Sequence, residues 1–219
     1  MRVRIVHGLA AVLLAHATLA AHRPAWAGPP SDQLRLQVER VVRVLKDPDL
    51  KREERLTERR AAIRRIAQEI FDFTETTRRA LGQHWQARTA QERQEIVGLY
   101  TDLLERSYIG KIELYSGERI QFVGDTIDGN QATVRTRLVT KAGTEIPVDY
   151  RMHRVGGDRW LAYDVAIEGV SMVANYRAQF NKIIQTSGYK SLVSKLAAKQ
   201  EEGLVADREL GVGKASQTK

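Results

Sequence analysis

The hydrophobic period of this chain changes twice, and those two switches bound what it can fold into. Up to Gly110 the apolar residues recur at the three-and-four spacing of helices; from there to Ser171 they alternate; beyond Ser171 the helical spacing returns. A helix presents one face every 3.6 residues and a strand every two, so neither element can carry the other's pattern. Helices, then strands, then helices in separate blocks give an α+β fold, not an alternating α/β one.

The first block reads as four helices. From Ser31 to Lys46, Leu34, Val38, Val41, Val42 and Leu45 form one stripe, stopped by Asp47-Pro48. From Glu53 to Ile70, Leu56, Ile63, Ile66, Ala67 and Ile70 form the next, with the arginines assigned to a solvated face. Phe71, Phe73 and Thr74 open a third helix that ends at Leu81-Gly82, where glycine suits a left-handed cap. Thr89-Ala90-Gln91-Glu92 is a capping box for a fourth, bearing Ile96, Val97, Tyr100, Leu103, Leu104 and Tyr108.

The strand block begins with Ile112, Leu114, Ile120 and Phe122 on short strands. Ala132, Val134, Thr136 and Leu138 then share one face, and Ile146, Val148, Tyr150 and Met152 the next. On the last strand Leu161, Tyr163, Val165 and Ile167 oppose Trp160, Ala162, Asp164 and Glu168. Turn signals at Asp128-Gly129-Asn130, Ala142-Gly143-Thr144 and Gly156-Gly157-Asp158 make these hairpins, hence an antiparallel meander. Gly169 ends the last strand, and Ser171 caps a helix carrying Met172, Val173, Tyr176, Phe180, Ile183 and Ile184. Gly188 divides it from a final helix with Leu192, Val193 and Leu196, and a polar, mobile tail is expected over 204–219.

Ahead of this domain, expected over 28–203, Arg2 and Arg4 precede an apolar run from Ile5 to Ala21 and the small-x-small site Ala25-Trp26-Ala27. Residues 1–27 read as a secretory signal peptide; the short run, interrupted by His16 and Thr18, argues against a membrane anchor. The formal net charge of +8 falls when Arg2, Arg4 and Arg23 leave with the leader, and the remaining positive excess suits an anionic partner or membrane surface. Without any cysteine there is no disulfide, no thiolate nucleophile and no cysteine-ligated metal. His84 and His153, the histidines that follow the leader, are far apart in sequence and give no metal-ligand spacing.

Little in the sequence calls for catalysis. Asp164 and Glu168 share a strand face, yet rim hydrogen bonds and salt bridges to Arg135, Arg137 or Arg151 account for them without a buried, pKa-shifted acid. Ser107, Ser116, Ser171 and Ser187 lack the Gly-x-Ser-x-Gly turn that exposes a nucleophile, and no glycine loop cradles phosphate. Arg59-Arg60, Arg64-Arg65 and Arg78-Arg79 are not interleaved with base-stacking aromatics, which favours anionic headgroups or acidic proteins over nucleic acid. A basic docking patch is expected at these pairs.

The alternating faces suggest a binding role instead. A curved sheet flanked by N-terminal and C-terminal helices can enclose an apolar pocket. From the strand-face assignment its walls are Val134, Leu138, Val148, Tyr150, Met152, Tyr163, Val165 and Ile167. Phe73, Leu81, Trp85, Tyr100, Leu104, Tyr108, Val170 and Val173 close it from the helical side.

Several motifs in this order resemble one family. They are Leu81-Gly82-Gln83-His84-Trp85, Thr89-Ala90-Gln91-Glu92-Arg93, Trp160-Leu161-Ala162-Tyr163-Asp164 leading to Glu168-Gly169-Val170-Ser171, and Asn175-Tyr176-Arg177-Ala178-Gln179-Phe180. The chain resembles the MlaC family, also called toluene-tolerance auxiliary transport proteins, over nearly all of the mature domain. The resemblance implies a soluble periplasmic carrier whose cargo is phospholipid, with no catalytic residues and no cofactor. It also implies partners: an outer-membrane lipoprotein complex, and the inner-membrane MCE-domain protein of an ABC transporter, whose joint action maintains outer-membrane lipid asymmetry. Three other readings stay open: a carrier of another envelope lipid such as a hopanoid, a small exported enzyme with a cone-shaped cavity, and an adaptor with a filled core.

Overall fold

A computed structural model describes residues 29–215, with side chains to Val205. The leader assigned to residues 1–27 lies outside the described residues. Helices α1 (Pro30–Lys46), α2 (Leu56–Ile70), α3 (Phe73–Leu81) and α4 (Ala90–Glu113) precede strands β1 (Arg119–Asp128), β2 (Gln131–Val139), β3 (Glu145–Arg154), β4 (Trp160–Ile167) and the short β5 (Val170–Ser171). Helices α5 (Met172–Ser187) and α6 (Tyr189–Ala215) follow. The sheet is an antiparallel meander in the order β1-β2-β3-β4-β5, so the α+β reading holds.

The terminators named from sequence act where they stand. Thr89 and Glu92 make the reciprocal capping box of α4, and Ser171 Oγ accepts the Ala174 N–H at 3.0 Å to cap α5. Gly82 closes α3 at φ 55°, a conformation that excludes most side chains.

Helix α4 departs from expectation by continuing through Gly110 to Glu113, so Ile112 is helical and Leu114 caps the helix instead of entering a strand. Ile109 is buried with Leu45 and Ile63 of α1 and α2, and Glu113 receives Arg59 and Arg60 of α2, each at 3.0 Å. Tertiary contacts hold the last turn against the glycine's low propensity. The same contacts correct the solvated arginine face: Arg59, Arg60 and Arg64 point at Glu113 and Glu105 of α4. Arg78 and Arg79 share Glu75, so five of the six arginines of the three pairs meet three carboxylates, which halves the charge of the expected basic patch. Helix α6 also extends beyond Leu204 to Ala215, where a tail was expected.

Two cores result. Leu34, Ile66 and Ile70 of α1 and α2 pack on Ala132, Val134, Met152, Trp160 and Ala162 of the sheet. Leu81, Trp85, Ile96, Tyr100, Leu104, Val173, Phe180, Leu192 and Leu196 form a second core among α3, α4, α5 and α6.

Candidate functional site

Cross-strand register shows what the sheet offers a ligand. On the face covered by α1 and α2, successive rows run Ala132–Met152–Ala162, Val134–Tyr150–Val165, Thr136–Val148–Ile167 and Leu138–Ile146. The first row is fully buried; Tyr150 and Val165 are half-buried; Ile167 is 44% exposed, and Leu138, Ile146 and Val148 are half-buried. Helical cover thins from one end of the sheet to the other, leaving an apolar strip at the end where α4 passes into β1. Ile120 belongs to the strip through its pairing with Leu138. Exposed Ile112, Leu114 and Val170 belong to the segments that reach this end: the close of α4, the approach to β1, and β5.

A bulge decides which residues of β4 reach this strip. Arg151 pairs with Asp164 and Met152 with Ala162, so Tyr163 is the extra residue and the alternation changes face there. Val165 and Ile167 therefore share a face with Trp160 and Ala162, while Leu161 lies opposite, contrary to the sequence assignment. Tyr163 packs on the far side, its ring under Arg79 at 3.7 Å and edge-on to His153 at 5.8 Å between centroids.

The turn that follows Ile167, and not the bulge, separates Asp164 from Glu168. Asp164 is 1% exposed, accepting Ser171 Oγ at 2.6 Å, Val173 N–H at 2.9 Å and Arg151 Nη1 at 3.2 Å. Glu168 is exposed in a two-residue turn with Gly169, both at positive φ, 51° and 81°. The carboxylate anchors α5 to β4, and Ser171 serves it and the helix cap together. His153 and His84 are engaged elsewhere, with Asp72 and Asn181.

The remaining expected wall residues divide by place. Phe73, Leu81, Trp85, Tyr100, Leu104, Tyr108 and Val173 belong to the helical core. Val134, Tyr150 and Met152 belong to the sheet core; Leu138, Val148, Val165 and Ile167 form the strip; Val170 is 67% exposed. Between α1, α2 and the sheet a cavity of about 10 Å³ lies among Gln33, Leu34, Gln37, Glu69, Ile70, Met152 and Trp160, room for roughly one water. Both interiors are dry enough to disfavour charge. Burial pushes the Tyr150 phenol up to about 12 and raises that of Tyr100, whose buried hydroxyl meets no partner among the described residues. Ile120, Ile146 and the exposed rim adjoin the expected wall residues without having been among them, although the alternation that marked Val148 also marks Ile146.

The model of the family described as MlaC protein matches residues 36–198. The chain belongs to the MlaC family. Every motif that carried the resemblance lies within the match. The intermembrane phospholipid transport system binding protein MlaC of Haemophilus influenzae is 22% identical over 131 residues, which span 58% of this chain and 61% of that relative. A solved phospholipid-binding protein from Ralstonia solanacearum, determined in complex with a phospholipid, has 23% identity and a TM-score of 0.69, covering 80% of this chain and 98% of that one. That likeness establishes a shared fold for this MlaC member.

Proposed function

We propose that this MlaC member is a periplasmic carrier that holds the acyl chains of a phospholipid and passes the lipid between the two envelope membranes. The observation that carries the reading is the half-open apolar strip of Leu138, Ile146, Val148, Val165 and Ile167 in a chain of this family. Water-exposed acyl chains cost about 0.8 kcal/mol per methylene, so roughly thirty methylenes cost on the order of 24 kcal/mol. A protein wall removes most of that barrier. Transfer from bilayer core to apolar wall exchanges one dry environment for another, so loading and release stay nearly balanced.

Two acyl chains need a pocket of several hundred Å³. The interior beside Met152 and Trp160 is filled, so chains enter from the strip and part the helices from the sheet as they advance. Packing lost between α1, α2 and the sheet is replaced by packing against acyl chains. The donor and acceptor in this reading are the outer-membrane lipoprotein complex and the MCE-domain protein of the inner-membrane ABC transporter, with ATP hydrolysis there setting direction. Incubating lipid-loaded protein with each purified complex and following a radiolabelled phospholipid tests this step. Transfer to or from both complexes supports the shuttle, and label that stays with the protein in the presence of both rejects it.

A further inference from the structure

From Gly169 to Gln200 the chain contains no aspartate or glutamate, yet it carries Arg177, Lys182, Lys190, Lys195 and Lys199. This span is α5 and the first twelve residues of α6, ahead of the exposed Glu201 and Glu202. Elsewhere many basic side chains meet carboxylates, as Arg59 and Arg60 do at Glu113, Arg64 at Glu105, and Arg78 and Arg79 at Glu75, and exposed ones such as Lys46, Lys51 and Arg65 are interspersed with acidic residues along the chain. On α5 and α6 all five are exposed, and among the described residues none forms an ion pair; Arg177 donates through Nε to the Arg79 carbonyl at 2.7 Å. Acids on neighbouring α4 do not cancel them: Glu92 is held by Arg88 and the Thr89 cap, Asp102 by Arg106, while Glu95 is exposed along the α4–α6 groove. The apolar residues of both helices, including Val173, Phe180, Leu192 and Leu196, turn inward. Among the described residues from Ser171 to Gln200, no large apolar side chain is exposed.

We propose that the exposed basic surface of α5 and the first turns of α6 is an electrostatic docking surface for an anionic bilayer. Protein interfaces concentrate binding in buried aromatic and arginine anchors and are depleted in lysine. This face is polar, rich in lysine and without an aromatic anchor. A layer of anionic headgroups needs no anchor: it attracts each flexible ammonium through a diffuse surface potential that salt screens. The inference goes beyond the carrier reading, because it concerns adsorption and is indifferent to which lipid fills the interior.

The test is flotation of the purified protein with vesicles of phosphatidylcholine alone or with about 30% phosphatidylglycerol, at about 50 and 500 mM salt. Binding is expected on anionic vesicles at low salt alone. The variant Lys182→Glu/Lys190→Glu/Lys195→Glu is expected to lose at least about tenfold in partitioning, from the contribution of each lysine near a charged surface. A control with the same charge change on α1, the following loop and α2, Lys46→Glu/Lys51→Glu/Arg65→Glu, is expected to stay within about twofold. Circular dichroism confirms folding of both, and lipid extraction reports retained cargo separately, so failure of docking and failure of the carrier reading are distinguishable. Equal loss in both triple variants, undiminished binding of the lysine variant, or no low-salt binding by wild type overturns the proposal; the last result redirects the face to an acidic protein.

Discussion

Ser171 donates its hydroxyl to Asp164 Oδ2 across 2.6 Å, and that bond joins the sheet to the first turn of α5. With the Val173 N–H on Oδ1 at 2.9 Å and Arg151 on Oδ2 at 3.2 Å, the buried carboxylate is fully engaged. Asp164→Ala leaves a cap and a buried backbone donor without their acceptor. It is expected to cost about 2–3 kcal/mol in urea unfolding; a loss under about 0.5 kcal/mol contradicts the anchoring role.

Tyr100 is expected to behave in the opposite way. Its ring packs edge-on to Tyr176 at 5.1 Å and Phe180 at 5.0 Å, but its buried hydroxyl lacks a partner among the described residues. Tyr100→Phe keeps the packing and removes an unsatisfied group, so stability is expected to hold or rise by about 1 kcal/mol. A clear drop in the urea midpoint identifies a partner for that hydroxyl.

Glu105 makes stability depend on pH near neutrality. Burial raises its carboxyl above the ordinary carboxylate range, only partly offset by Arg64. The folded state then holds this proton to higher pH than the unfolded chain, so the group's contribution is fully present below the unfolded pKa and is lost as pH rises through the folded one. Relative to wild type, Glu105→Gln should gain stability between about pH 4 and pH 7, by less than about 1 kcal/mol given partial exposure. Urea melts of both proteins at the two pH values measure it; a constant difference contradicts the assignment.

At the β4–β5 turn Glu168 holds φ 51° beside Gly169. Both positions of this two-residue hairpin loop favour asparagine or glycine. Glu168→Asn is expected to raise stability by about 0.5–1 kcal/mol in thermal unfolding, and an unchanged Tm argues that the backbone there is unstrained.

Much of this architecture is legible in the sequence because it rests on local rules. Ser171, Thr89 and Gly82 act at helix ends through bonds within a few residues, and the period switch near Gly110 and Ser171 separates sheet from helices. What local rules cannot show is a long-range preference. Nothing near Tyr163 signals the bulge, which arises where Arg151 and Asp164 pair while Met152 keeps Ala162, and it moves Tyr163 away from the face expected of it. Gly110 looked like a terminator until Glu113 met Arg59 and Arg60. The acid-free run from Gly169 to Gln200 is legible in the sequence, whereas the partners of the arginine pairs are distant in sequence or lie a helical turn away.

The strip gives the most direct test of the carrier. Val148 and Val165 are half-buried and face the same side of the sheet, so a charge there stays partly solvated while opposing an acyl chain. Native mass spectrometry with lipid extraction should find near-stoichiometric diacyl phospholipid on wild-type protein purified from the periplasm. On folded Val148→Glu/Val165→Glu it should find at least about fivefold less, a difference of about 1 kcal/mol that a single misplaced charge readily supplies. Wild-type protein that carries no lipid and takes none from vesicles would contradict the carrier, and a double variant loaded like wild type would remove the strip from its binding site.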